Sequence, residues 1–121
     1  MRTFFTFLLC LLFPCHFLTA QTTVYNDGIL TILAGDFYVN GDYINESANV
    51  STILNGDFYL TGHFENNVTL GNLFTNSTGT IHFMGSELQR IYGTADKVAS
   101  FINFPNVEVN NPASVQLDYQ M

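Results

Sequence analysis

Two aspartates and two tyrosines recur at one spacing, and they are the first candidates for chemistry in this sequence. Asp36 and Asp57 lie 21 positions apart, as do Tyr38 and Tyr59. If the fold stacks one copy on the next, the two carboxylates lie about 5 Å apart and repel unless a proton or a cation lies between them. The tyrosine rings, flanked by Asp, Asn and Thr, could hold a sugar ring on a flat sheet face.

Each of these assignments has a simpler structural alternative. Asp36 and Asp57 could be solvated turn residues with room to splay apart. Tyr38 and Tyr59 could stabilise a sheet as a cross-strand aromatic pair, which contributes about 0.2–1 kcal/mol without any ligand. We therefore favour these structural roles, and we keep Asp36 and Asp57 as a candidate cation pair and Tyr38 and Tyr59 as candidate glycan contacts.

The histidines add little to this chemistry. His63 falls over Asp42 at the same spacing, which predicts a surface ion pair worth well under about 1 kcal/mol. His82 follows the Tyr38–Tyr59 series. Neither histidine has a second histidine or a cysteine at ligand spacing, so we predict no metal site and no cofactor. Because no Gly-x-Ser-x-Gly motif occurs either, we predict no catalytic residues.

The element that positions these side chains is an internal repeat. TILAGDFYVNGDYIN (31–45) returns as TILNGDFYLTGHFEN (52–66), with nine of fifteen positions identical. A weaker third copy follows at an offset of 23, where Ile81 and Phe83 take the places of Phe58 and Leu60. Apolar and polar residues alternate with period two, which is typical of strands. The apolar positions form columns when the copies are stacked.

Two all-β architectures can use this pattern. In a β-solenoid each copy of about 21–23 residues is one coil, and like residues lie about 4.8 Å apart along one axis. In an antiparallel β-meander or sandwich, Asn40-Gly41 and Asn55-Gly56 would be tight hairpin turns. The second copy has Thr61-Gly62 in place of Asn40-Gly41 and yet keeps the apolar columns. We therefore predict the β-solenoid and keep the meander as the alternative.

The first twenty residues have the pattern of a secretory signal peptide. A short basic start precedes an apolar run from Phe4 to Phe13, and a small residue, Ala20, marks the expected cleavage point. The run is about ten residues long, whereas a membrane-spanning helix needs about twenty. Both cysteines lie within residues 1–20. We therefore expect an exported chain without disulfides, secreted or at the cell surface, that does not insert into a membrane after cleavage.

Charge and length limit the function further. The chain has ten acidic residues, three basic residues and a formal net charge of −7. Such an excess of negative charge repels nucleic acid and anionic lipid, which excludes both as predicted partners. Residues 21–121 have the length of one domain. A turn of helix is predicted at Thr94–Ser100, and short strands and turns elsewhere.

The second half of the chain carries a resemblance to a known group of proteins. TGTIHFMG (78–85), QRIYG (89–93), FPNVEVNN (104–111) and VQL (115–117) together are similar to a repeat of exported surface proteins of Bacteroidetes. The resemblance implies a β-solenoid-like passenger region of a type IX secretion substrate, with an adhesive or surface-layer role. It also implies that residues 21–121 are the N-terminal part of a longer protein.

Together these observations predict a non-enzymatic structural or adhesive repeat segment. The expected partners are surface glycans or other cell-surface proteins, and open coil ends would favour self-association. A carbohydrate-binding module or a fragment of a polysaccharide-active β-helix enzyme is the alternative. The enzyme would need acidic and basic side chains gathered from three successive coils.

Overall fold

The computed structural model describes residues 21–46, 51–67, 71–93 and 100–118. Within them the chain is all-β and winds into a parallel β-solenoid of about four turns. The predicted signal peptide at residues 1–20 lies outside the described residues, as does most of the helical turn predicted at Thr94–Ser100. Ser100 itself begins a strand.

Each coil contributes up to three short strands. The strands of the described residues, in chain order, are β1 (Thr22–Asn26), β2 (Ile29–Ile32), β3 (Asp36–Val39), β4 (Gly41–Asn45), β5 (Ser51–Leu54), β6 (Asp57–Leu60), β7 (Phe64–Asn66), β8 (Gly71–Asn72), β9 (Thr80–Phe83), β10 (Gln89–Gly93), β11 (Ser100–Phe101), β12 (Val107–Val109) and β13 (Val115–Asp118).

Equivalent strands of successive coils form the sheets. We number the coils from the first sheet: β1–β3, β4–β6, β7–β9 and β10–β12, with β13 at the start of a fifth. The first sheet has the order β1-β4-β7-β10-β13, and the second has the order β3-β6-β9-β12. The two-stranded sheets β2-β5 and β8-β11 lie on the third side. All of these strand pairs are parallel. The predicted β-solenoid is therefore confirmed.

The apolar columns predicted from the repeat fill the interior. Phe37 pairs in register with Phe58, and their ring centroids are 5.2 Å apart. Phe58 pairs in turn with Ile81, and both side chains are fully buried. Burial of side chains of this size stabilises a fold by about 1.5–3 kcal/mol each. The buried apolar residues form one cluster: Ile32, Val39, Tyr43, Leu54, Phe58, Leu60, Phe64, Leu73, Phe74, Ile81, Phe83 and Ile91.

The antiparallel alternative is excluded by the position of its predicted hairpin. Asn40-Gly41 joins β3 of the second sheet to β4 of the first, so it turns a corner of the coil. Gly41 has a φ of 144°, and a Cβ there would lie 1.9 Å from the carbonyl oxygen of Thr22 in the preceding coil. The glycine is required by a close approach of two coils rather than by a hairpin turn.

Coil length follows the prediction in the middle of the chain and increases afterwards. Asp36 pairs with Asp57 and Phe58 with Ile81, which are the predicted offsets of 21 and 23. Phe64 pairs with Ile91, 27 positions later. Part of the additional chain lies in the corner between β9 and β10. The column residues keep their places because the longer turns lie outside the sheets.

The last described strand of each large sheet leaves the end of its apolar column exposed. Val107 and Val109 continue the columns of Ile81 and Phe83 but are 48% and 53% exposed. Leu117, which continues the column of Ile91 on the first sheet, is 63% exposed. Among the described strands, no further strand pairs with β12 or β13 on the outer side. Within the part of the chain that the structure describes, this end of the solenoid is open.

Candidate functional site

The candidate residues on the outer face of the second sheet form a stack that runs along the solenoid axis. Tyr38, Tyr59 and His82 are paired in register on β3, β6 and β9, and Glu108 on β12 continues the row. The two tyrosine rings are 4.3 Å apart and 6° from parallel. The rings of Tyr59 and His82 are 4.4 Å apart and 12° from parallel. We call these four residues the outer ladder.

The outer ladder follows from the repeat itself. Period-two alternation sends Phe37 inward and Tyr38 outward on β3, and the same pattern recurs on β6 and β9. Parallel pairing in register then places each outward ring on the next. The prediction that His82 follows the two tyrosines is confirmed by this stacking.

The candidate cation pair lies at the start of the same strands. Asp36 pairs in register with Asp57, as the repeat predicts. Asp36 accepts a hydrogen bond of 3.4 Å from the Tyr38 hydroxyl, whereas Asp57 lies 3.2 Å from Nε2 of His82. The described residues contain no cluster of three or more His, Cys, Asp or Glu side chains that could hold a metal ion. The two carboxylates thus have protein partners, and a cation between them stays a prediction.

His82 connects three coils through its two ring nitrogens. Nε2 lies 3.2 Å from Asp57 in the coil before, and Nδ1 lies 3.0 Å from Glu108 in the coil after. The His82 side chain is 13% exposed, and the carboxylates are 45% and 52% exposed. Because an ionised carboxylate only accepts hydrogen bonds, both contacts are hydrogen bonds only when both ring nitrogens carry protons. The arrangement is therefore a polar link along the axis.

The stack also determines how the tyrosines could contact a glycan. Sugar rings pack on aromatic faces, but both faces of Tyr59 are covered, by Tyr38 on one side and His82 on the other. Tyr38 is 63% exposed and belongs to the edge strand of the described second sheet, so one of its faces is free. Tyr59 offers only its ring edge and hydroxyl to a ligand.

The surroundings of Tyr59 favour its neutral phenol. Desolvation raises the pKa of Tyr59 above its ordinary value, and the carboxylates of Asp36 and Asp57 and the neighbouring Tyr38 raise it further. A phenol with a raised pKa stays protonated at neutral pH and serves as a hydrogen-bond donor.

The ion pair predicted between Asp42 and His63 does not form. Asp42 Oδ1 accepts a hydrogen bond of 2.7 Å from the backbone N–H of His63. The His63 ring instead faces the following coil, where its Nδ1 accepts a hydrogen bond of 3.1 Å from the backbone N–H of Arg90. The offset of 21 does bring Asp42 and His63 together, but the carboxylate binds the backbone N–H of His63 and not its ring.

Gln89 is not among the predicted site residues, yet its buried side chain links three successive corners of the solenoid. Its Nε2 donates to the carbonyls of Leu60 and Gly62 at 3.0 and 2.7 Å. Its Oε1 accepts from the N–H of Gly85 at 2.9 Å and from Nδ2 of Asn111 at 2.8 Å. The amide is fully hydrogen-bonded and fixes the corner before β10. Gln89 and Asn111 both belong to the segments that carry the Bacteroidetes resemblance, which is the signal that could have found them.

The described ranges contain no helix with the length and apolar character needed to cross a membrane.

Comparison with known proteins does not assign the chain to a family. No family model matches the chain, and neither a curated protein nor a solved structure matches it. The Bacteroidetes resemblance therefore stays a prediction.

Proposed function

We propose that this chain is a non-enzymatic structural or adhesive segment of an exported or cell-surface protein. The observation that carries the proposal is the outer ladder, in which Tyr59 and His82 each contact both the coil before and the coil after. The side chains that could bind a ligand or catalyse a reaction thus contact one another along the axis and link the coils. Export rests on the signal-peptide pattern of residues 1–20, and the proposed partners are surface glycans or other cell-surface proteins.

The main rival is a polysaccharide-active enzyme, and one observation favours it. Asp57, His82 and Glu108 come from three successive coils, as that hypothesis requires. In most glycoside hydrolases, however, two carboxyl groups flank the scissile bond and leave room for the sugar or for water. Here the imidazole of His82 lies between the two carboxylates. This arrangement supports the structural role over catalysis.

Incubation with a panel of polysaccharides tests the choice between these functions. The purified protein and an Asp57→Asn, Glu108→Gln double variant would be incubated with each polymer, and released reducing ends would be measured. We expect no release above a buffer blank for either protein. Release by the wild-type protein that the double variant loses would overturn the non-enzymatic assignment.

Self-association through the open end is part of the same proposal. The exposed column residues Val107, Val109 and Leu117 lie beside strand edges without a described partner, which is a surface that favours pairing with another chain. Sedimentation velocity at increasing concentration would measure it. We expect association in the wild-type protein and a monomer for a Val107→Lys, Leu117→Lys variant. A wild-type monomer at all concentrations would contradict self-association.

A further inference from the structure

We propose that an open groove at the corner between the first and second sheets binds a neutral polysaccharide. This inference deepens the adhesive part of the proposed function and rests on it. The groove has a volume of about 500 Å³ and continues into a second recess of about 270 Å³. Gln21, Thr61 and Glu87 line both. The groove lies on a different part of the surface from the outer ladder.

The unequal lengths of successive corners create the groove. The corner between β3 and β4 is a single residue, Asn40, the next is 61–63, and the third is 84–88. The longest of these three corners contributes Glu87 and Leu88 to the lining and forms one wall. Because the buried amide of Gln89 ties this corner to the carbonyls of Leu60 and Gly62, the wall is held in place without a ligand.

The lining offers both hydrogen-bond donors and acceptors. Asp42 and Glu87 provide carboxylate oxygens, and Arg90 provides N–H donors. His63 accepts a hydrogen bond at Nδ1 from the Arg90 backbone, so its neutral ring carries a proton on Nε2. A sugar presents hydroxyl groups that both donate and accept. This mixture of partners fits a polyol better than an apolar ligand.

Charge selects a neutral sugar polymer over a charged one. The two groove carboxylates and the net charge of −7 repel uronic acids and sulfated sugars. The nearby guanidinium of Arg90 is already paired with Asp118 at 3.3 Å, so it is not a free anion site. The described residues provide no metal cluster that would bridge an anionic polymer to these carboxylates.

Groove shape also favours this site over the outer ladder. The ladder is a row of stacked rings in which only Tyr38 has a free face. The corner is concave and lined by side chains from three successive coils: Asp42 from the second, His63 from the third, and Glu87 from the corner leading into the fourth. An extended polymer could follow the corner along the solenoid axis and contact each coil in turn.

Affinity electrophoresis in gels containing a neutral or an acidic polysaccharide tests the proposal. The protein would be compared with Glu87→Ala, with Asp42→Asn, which keeps the acceptor for the His63 N–H, and with Tyr38→Ala as the ladder control. Circular dichroism melting would confirm that each variant is folded. We expect retention of the wild-type protein by at least one neutral polymer and by no uronic acid polymer. Loss of a charged hydrogen bond should weaken retention about tenfold in Glu87→Ala.

The outcomes separate the groove from the wider function. Weakened retention in Glu87→Ala and Asp42→Asn, with Tyr38→Ala unchanged, supports the groove. Retention that Tyr38→Ala alone abolishes moves the glycan to the outer ladder and overturns the groove, while the adhesive function stands. If no neutral polymer retains the wild-type protein, the groove proposal is overturned and the structural role is unaffected. Only cleavage of a polymer overturns the proposed non-enzymatic function.

Discussion

The third and fourth coils carry equivalent residues and yet bury them very differently. Ile81 and Phe83 in the third coil are fully buried, whereas Val107 and Val109, which continue the same two columns in the fourth, are 48% and 53% exposed. The strands alternate in the same way and lie in the same sheet. The difference is that β9 pairs with β6 on one side and β12 on the other, whereas β12 has a described neighbour, β9, on only one side. In a solenoid, burial depends on the adjacent coil as much as on residue type.

The largest expected effect comes from truncating the same column in the middle and at the end. Phe58→Ala removes a fully buried ring between Phe37 and Ile81 and should lower the free energy of unfolding by about 3–5 kcal/mol. Val107→Ala at the open end should lower it by about 1 kcal/mol or less. Urea denaturation of both variants measures the contrast. Equal losses would mean that the end is as well packed as the middle.

A second contrast compares buried and exposed glutamines on neighbouring strands. Gln89→Leu removes the partner of the Gly62 carbonyl and of the Gly85 N–H, whereas the Leu60 carbonyl keeps the backbone N–H of Met84. Buried groups left unpaired cost about 1–3 kcal/mol each, so we expect a loss of about 3 kcal/mol. Gln116→Leu is the control because Gln116 is exposed and its side chain donates a hydrogen bond to Asp118 on the same strand. Equal melting temperatures for the two variants would argue against the Gln89 amide as the link between coils.

Much of the fold could be predicted from the sequence because two periodicities reinforce each other. Period-two alternation separates Phe37 from Tyr38, and the fixed offset to Phe58 and Tyr59 places like residues in one column. His82 could be assigned to the stack on the same basis. Once the register is known, these residues need no information beyond the local pattern.

The remaining features could not be predicted because they depend on coils of unequal length. Glu108 reaches His82 at an offset of 26, outside the repeat that aligned the first copies. Three of the four hydrogen bonds of Gln89 join it to segments 22 to 29 positions away that the sequence does not align. Pairs of this kind follow from where the longer corners lead the chain, which residue types alone do not specify.

Alkaline pH tests a difference between the second and third coils within one buried column. Tyr43 and Phe64 are register partners in one buried column, but only Tyr43 carries a hydroxyl. Burial raises the pKa of Tyr43 from 10.0 to about 12, and the nearby side chains of Asn26 and Thr52 oppose the shift. Because the neutral phenol is favoured in the folded state, its contribution is complete below pH 10 and is lost as the pH rises toward 12.

This shift corresponds to about 3 kcal/mol, which should disappear between pH 10 and pH 12. Tyr43→Phe copies the residue found at position 64 in the next coil and should retain more of its stability over that range. Chemical denaturation at pH 8, 10 and 12 measures both proteins. Parallel pH profiles for the two would contradict a buried phenol at position 43.

The smallest expected effect is that of the outer ladder. Tyr59→Ala removes two stacked contacts and should cost about 1 kcal/mol, since aromatic pairs contribute about 0.5–1.5 kcal/mol beyond their buried area. Tyr25→Ala is the matched control, because Tyr25 is 65% exposed on the first sheet and makes none of the described ring contacts. Thermal melts measure the difference. A loss as large for Tyr25→Ala would remove the stabilising role assigned to the stack.

The order of the strands in space is tested most directly by nuclear Overhauser contacts in the isotope-labelled protein. The parallel solenoid predicts contacts from the Phe58 ring to the Phe37 ring on one side and to the Ile81 methyl groups on the other. An antiparallel hairpin would instead give Hα–Hα contacts between Asp36–Val39 and Gly41–Asn45. Observation of the first set with none of the second is the result we expect, and the reverse would contradict the stacked-coil architecture.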